Sequence, residues 1–350
     1  MNRIGENQHY VSRVLLKRFK LPSRPLECYQ VETGEWKPRS INNVCASRGY
    51  HQLLFSGTAD NTLEGALSKI ESRLPRMLKA LDRAAQNPKI QLPLEMHETL
   101  SRYCALLKLS SPAAKAAAVV NFVYQINVEL ESGAFGLIRD LQVPETTIAA
   151  WKAKSKAGFK IIVDPTDALQ LLYRNQFARV YSGDAGMFSM TKWTLSRSPI
   201  DLPLSDVGLV PLMLEDMRVN YYVLPLAPHL LLEGIFFFEL RKNRRHRPVE
   251  RRTLTEREAE YRLDIICASA VKEIICSRKI EGVAESIRRA HASGISFLKI
   301  MNFDDVADAG LANACQELRF GVVPTDDFVK FVHSYVRPRH IVTPIADEGH

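Results

Sequence analysis

Apolar positions along the chain recur mostly at helical spacing, with shorter alternating stretches between them. Near the N-terminus, on a wheel of about 100° per residue, Val11, Val14, Leu15 and Phe19 fall on one side and Arg13, Lys17 and Lys20 on the other. Ser12 suits the N-cap, because its hydroxyl can accept from a free first-turn amide. Arg18 breaks the pattern by projecting into the apolar side. A guanidinium buried there needs a carboxylate or several carbonyls. The alternative is a helix too short to bury that face.

The clearest stripe runs through residues 61–86, with Leu63, Leu67, Ile70, Leu74, Met77, Leu78 and Leu81 on one face. Asn61 with Glu64 resembles a capping box, and Pro75 is expected to kink or split the helix. Glu64 and Glu71 share one edge of the stripe and are the expected partners of Arg18; otherwise they are solvated rim residues. Further helices are predicted over residues 94–109, 112–131, 144–156, 167–181, 255–278 and 282–292, with smaller ones in 301–335. Strands are predicted at 26–31 and from Trp36, joined by the turn Glu32-Thr33-Gly34-Glu35, and at 187–196, 201–204, 219–224 and 230–238. Pro225 and Pro228 are read as ending a strand. The pattern predicts an α+β fold, a mostly helical single domain with a small antiparallel sheet.

Composition changes this picture little: 350 residues, 46% hydrophobic and 25% charged, are ordinary for a globular chain. No apolar run reaches the length of a membrane span, and Arg13, Lys17 and Arg18 interrupt any secretory apolar core. Cys28, Cys45, Cys104, Cys267, Cys276 and Cys315 show no metal-ligand spacing and read as free thiols in a reducing, cytoplasmic setting. No metal site, cofactor or oligomeric state follows from these residues.

Charge changes it more. The net charge of +8 is concentrated in two segments. Residues 1–24 hold six Lys/Arg against one Glu, and residues 241–252 hold seven against one, so the rest of the chain is net acidic. Arg241, Arg244, Arg245 and Arg247 dominate the second segment. Such clustering is what nucleic-acid contact needs, although a solvated basic loop has the same composition.

Candidate chemistry gathers at Gln8-His9-Tyr10, just before the first helix. His9 titrates near neutrality and can serve as a general acid/base or a phosphate donor; it can equally be a hydrogen-bonded clasp. The run Gln8-His9-Tyr10-Val11-Ser12-Arg13-Val14-Leu15-Leu16-Lys17-Arg18-Phe19 resembles the signature of the bacterial domain of unknown function 4238, with serine where the family usually has proline. Asn43-Val44 and Tyr50 fit the same family. Leu202-Pro203-Leu204-Ser205-Asp206-Val207-Gly208 resembles its SDnP element, with glycine in place of proline, and Tyr222 to Pro228 resembles its PLsP element. An arginine that the family carries before a Ser/Thr-Pro step is missing at Ser110-Ser111-Pro112, and Asp264 stands near the asparagine of its final helix.

The resemblance covers residues 8–280, which leaves 281–336 as a C-terminal helical extension and 337–350 as a loose tail. It implies that the His9 segment packs near the 202–228 strands. Two functional readings follow. In one, a phosphate- or nucleic-acid-directed enzyme uses His9 as acid/base, Arg13 or Arg18 with Gln8 and Tyr10 for binding, and Asp206 with Glu71 as orienting or metal-holding carboxylates. Asp206 could instead only close a turn. In the other, a non-enzymatic nucleic-acid-binding or structural module uses the loop 241–252.

Overall fold

A computed structural model describes residues 7–48, 50, 53–55, 58–60, 62–87, 91–140, 143–164, 181–213, 219–237, 249–292 and 320–335. The structure is α+β, with about half of its described residues helical and its strands in small sheets. The chain forms two compact units, one of residues 1–112 with 181–298, the other of 113–180 with 299–350.

In the first unit a five-stranded sheet runs in the order Val210–Met213, Val219–Ala227, Leu230–Phe237, Lys192–Arg197, Glu250–Thr253. Its pairings are antiparallel except the last, where Glu250–Thr253 lies parallel to Lys192–Arg197. A four-stranded antiparallel sheet has the order Glu35–Arg39, Leu26–Gln30, Glu273–Cys276, Leu204–Ser205. The helix Glu256–Ser269, opened by the Thr255–Glu258 capping box, packs with residues of both sheets. Leu263, Ile266 and Cys267 from this helix share one core with Tyr29 and Ile274 of the four-stranded sheet and with Val223 and Leu231 of the five-stranded sheet.

Several elements depart from their sequence-based limits. The helix predicted to run to Arg278 ends at Ser269, and Glu273–Cys276 becomes an inner strand of its sheet. The Asp206 carboxylate captures the amides of Val271 and Lys272, and the β-branched Ile274 and Ile275 then pair between two strands, so tertiary contacts override the helical spacing. Residues 187–190 belong to a helical stretch, and the strand begins at Lys192. Pro225 does not end its strand; the pairing passes it with a register shift between Pro225 and Ala227, a bulge that tolerates the missing donor. Val210–Met213 is a strand that the pattern did not reveal.

Pro75 splits its helix as expected, into Thr62–Glu71 and Leu74–Gln86, and occupies the first turn of the second half, where a missing amide costs least. Leu74, Met77, Leu78 and Leu81 are buried. Leu94–Ser110 follows, and Ser111 is extended before Pro112, which is the conformation a following proline imposes. The Asn61 cap and the helix start at Asp167 lie outside the described residues.

The second unit packs Pro112–Ser132 and Glu145–Lys156 with the antiparallel pair Phe159–Val163 and Phe320–Pro324, followed by Thr325–Tyr335. The region 301–335 was expected to be helical only, and residues 320–324 correct that: Gly-Val-Val-Pro after Phe320 suits an edge strand better than a helix. Asn127 extends the pairing from a helix, donating to the Ile161 carbonyl and accepting from its amide, both at 2.8 Å.

One polar network sits in the sheet–helix layer of the first unit. Glu233 lies two residues from Leu231, so both point to the same sheet face. Its carboxylate accepts from the hydroxyls of Ser196 and Tyr221, from Arg252 at 2.9 Å and from Arg262 at 3.0 Å. Burial pushes this carboxyl up, but the Ser196 and Tyr221 donors and the two arginines outweigh it and hold Glu233 below the ordinary glutamate range. A lowered pKa means a stabilising contribution that is complete at neutral pH and is lost as pH falls below the unfolded glutamate range. Glu233→Gln is therefore expected to lower unfolding free energy by about 2 kcal/mol at pH 7. Urea unfolding at pH 7 and near pH 3 checks this, with the difference from wild type closing at the acidic end.

Candidate functional site

Gln8 and His9 lie on the short strand Asn7–His9, which pairs antiparallel with Ala46–Arg48. The His9 imidazole bonds through Nε2 to the Ile41 carbonyl at 3.0 Å. Burial, and to a smaller degree the Arg13 charge, hold this imidazole below its ordinary range, against the favourable carbonyl. Tyr10 is buried; its ring lies 4.8 Å from that of Tyr50, and its amide donates to the Cys45 carbonyl at 3.0 Å. Burial drives the Tyr10 phenol far up, and Cys45, Asp206 and Glu273 act in the same direction.

Ser12 caps the helix Arg13–Leu16 and also meets the Tyr103 hydroxyl at 3.0 Å. The helix continues only as a single 3-10 turn, Lys17–Phe19, yet Leu15, Leu16 and Phe19 are fully buried. Arg18 does take a carboxylate partner, but it is Asp82 and not Glu64 or Glu71. The guanidinium makes two bonds to Asp82, at 2.6 and 2.8 Å, and one to the Leu226 carbonyl at 2.6 Å. The reason is the break at Ser72 and Arg73: the helix restarts at Leu74, and the carboxylate sharing a rim with Leu78 and Leu81 is Asp82.

The bond to Leu226 brings the His9 segment to the 202–228 strands. Gly208 lies there too, at φ +73°, a conformation closed to the proline that the resemblance would place at this position. A Cβ on it would stand 3.1 Å from Leu107 and 3.4 Å from Val11.

Asp206 is completely buried and accepts from the amides of Val271 and Lys272, each at 2.8 Å. Burial raises its carboxyl to about 6, against the pull of those amides. Its own amide donates to the carbonyl of Glu273, and Glu273 accepts from the Cys45 amide at 2.9 Å and from Arg39 at 2.8 Å. These bonds hold Cys45 in the left-handed region at φ +49°. Glu71 lies at the end of its helix, close enough to Tyr103 to help burial raise that phenol. The His9 ring and the Asp206 carboxylate thus engage different backbone segments, and Glu71 stands beside the residue that bonds Ser12.

The second charged feature is an exposed face. Arg241, Arg244, Arg245 and Arg247 lie outside the described residues. Arg13, Lys17, Lys20 and Arg24 are exposed on the N-terminal segment. The helix Leu74–Gln86 adds Arg76, Lys79 and Arg83 on its solvent side, with Arg73 at its N-cap. Its only carboxylate, Asp82, is neutralised by Arg18, and Arg76 meets the exposed Glu95 at 3.6 Å. At the end of this helix the Ala84 carbonyl accepts from Arg251 and the Ala85 carbonyl from Arg197. Arg251 belongs to the strand that follows the 241–248 segment. The repeat Arg73, Arg76, Lys79, Arg83 is visible in the sequence, but the apolar stripe that dominates the stretch masks it.

The architecture is thus that of an α+β protein whose N-terminal signature is built into its core. The model of a family described as protein of unknown function DUF4238 matches residues 7–279, and the chain belongs to that family. No curated protein and no solved structure matches it. Among the described residues no helix is long and apolar enough to cross a membrane, and no group of His, Cys, Asp and Glu is arranged to hold a metal ion. Cys28, Cys45, Cys104, Cys267 and Cys276 are free and buried.

The geometry of the signature makes a direct prediction. His9→Ala removes the bond to Ile41, so unfolding free energy should fall by about 1 kcal/mol, seen as a melting temperature lower by a few degrees. Thermal unfolding followed by circular dichroism measures it.

Proposed function

We propose that this protein binds the phosphate backbone of nucleic acid on its basic face, with the N-terminal signature serving to build that face. The observation that carries this reading is the helix Leu74–Gln86, whose single carboxylate is taken up by Arg18 while Arg76, Lys79 and Arg83 point to solvent. From Arg76 to Arg83 the helix rises about 10 Å, the axial length of about three phosphates on one duplex strand. The Arg18–Asp82 bridge ties this helix to the segment that carries the exposed Arg13, Lys17 and Lys20.

A catalytic role for His9 finds less support. The carboxylate that would orient it, Asp206, is sealed from solvent and accepts from two backbone amides. The basic face, in contrast, presents charges that solvent and a polymer can both reach.

Affinity for nucleic acid should fall steeply with salt, because each neutralised phosphate releases counterions. Exchanging Arg76, Lys79 and Arg83 for glutamine should flatten the slope of log affinity against log salt by about 3 without changing the melting temperature. Fluorescence anisotropy over a salt series tests this; a slope unchanged by the triple substitution removes the reading.

A further inference from the structure

A different group of side chains lies next to the basic face. His229 sits in the turn between the strands Val219–Ala227 and Leu230–Phe237. Its Nε2 lies 2.8 Å from Oδ1 of Asp201, and Asp201 Oδ2 accepts from Nε of Arg278 at 2.6 Å. The carboxylate is well covered, with 13% of its side chain exposed, whereas His229 is 60% and Arg278 70% exposed. A largely covered acid thus lies against an imidazole and a guanidinium that solvent can reach.

The turn is held in place. The Ser198 amide donates to the His229 carbonyl at 3.1 Å, and the Leu202 amide to the Pro228 carbonyl at 2.7 Å. Ser198 Oγ bonds both the carbonyl and the amide of Ile200, which tightens the loop carrying Asp201. Loop-to-loop backbone bonds already fasten the two segments, so the Asp201–His229 contact is not needed as a staple. In the tautomer that places the proton on Nε2, which lies 2.8 Å from Asp201, Nδ1 carries the lone pair that a general base needs.

The location ties this dyad to the basic face. Leu226, three residues before His229 and so within about 11 Å of it by chain reach, accepts from Arg18. Leu230, the next residue, pairs with Arg197, which donates to Ala85 at the end of the basic helix. Leu226 and Arg197 thus connect the turn of His229 to the helix that carries Arg76, Lys79 and Arg83.

We propose that Asp201, His229 and Arg278 form a ribonucleolytic site, which rests on the reading that the basic face holds nucleic acid. RNA carries its own nucleophile, the 2′-hydroxyl, beside each phosphodiester. Nδ1 of His229 takes the proton of that hydroxyl as the 2′-oxygen forms its bond to phosphorus. Arg278 faces the charge that grows on the phosphoryl oxygens. The bond from phosphorus to the 5′-oxygen breaks, and that oxygen takes a proton from water; the hydroxide left behind neutralises the imidazolium. The products are a 2′,3′-cyclic phosphate and a 5′-hydroxyl. Asp201 is a positioning residue that holds the imidazole in one tautomer.

The test uses the full chain, a short end-labelled RNA and the DNA of the same sequence, with binding read by anisotropy and cleavage by gel and mass spectrometry. Both polymers should bind and only RNA should be cut, leaving the cyclic phosphate. His229→Gln should slow cleavage by about 100-fold or more while affinity and melting temperature stay unchanged. Asp201→Asn should lower kcat with KM unaltered, and added imidazole should restore part of the rate to His229→Gly. Binding without cleavage, equal cleavage by His229→Gln, or equal cleavage of DNA overturns the site and leaves the basic face standing. If neither polymer binds, the basic-face reading and this one fall together.

Discussion

Two buried carboxylates, Asp206 and Glu273, hold the first unit together. An acid without solvent must be met by donors, and here nearly every donor is a backbone amide or a charge from a different segment. Asp206 stops the helix Glu256–Ser269 from continuing and turns the chain into the strand Glu273–Cys276. Glu273, on that strand, reaches the Cys45 amide and Arg39, and the Cys45 carbonyl in turn receives the amide of Tyr10. The N-terminal signature, the four-stranded sheet and the central helix are therefore fixed by one chain of hydrogen bonds, anchored on two charged groups.

The same economy explains the N-terminal segment. A helix of four residues and one 3-10 turn has little stability of its own. Its conformation comes from the core below, through Leu15, Leu16 and Phe19, and from Arg18, which reaches both a helix and a sheet strand. Because Arg18 cancels Asp82, the outer surface of the neighbouring helix keeps a single sign of charge. A structural ion pair and an electrostatic surface are here one arrangement.

Local chemistry was readable where it depends on near neighbours. The caps at Ser12 and Thr255, the split at Pro75, the restart after Pro112 and the hairpin through Gly34 all follow from propensity and turn geometry over a few residues. The need of Arg18 for a carboxylate was also readable, since it follows from the energetics of a buried charge; which carboxylate was not, because the helix break resets the phase of the rim. The helix predicted through residues 270–278 failed for a related reason. Its apolar spacing suits either a helix or an inner strand, and only the capture of two amides by a distant aspartate decides between them.

Composition, the two basic segments, the α+β class and the family signature were determined by the sequence alone, because each depends on residue identity or on spacing along the chain. Tertiary structure alone decided that Asp206 is a sealed clamp, that Asp82 answers Arg18, and that Asp201, His229 and Arg278 meet. Those residues lie far apart in the chain, and a contact between distant residues is set by how the sheets stack around the central helix, which no local pattern encodes.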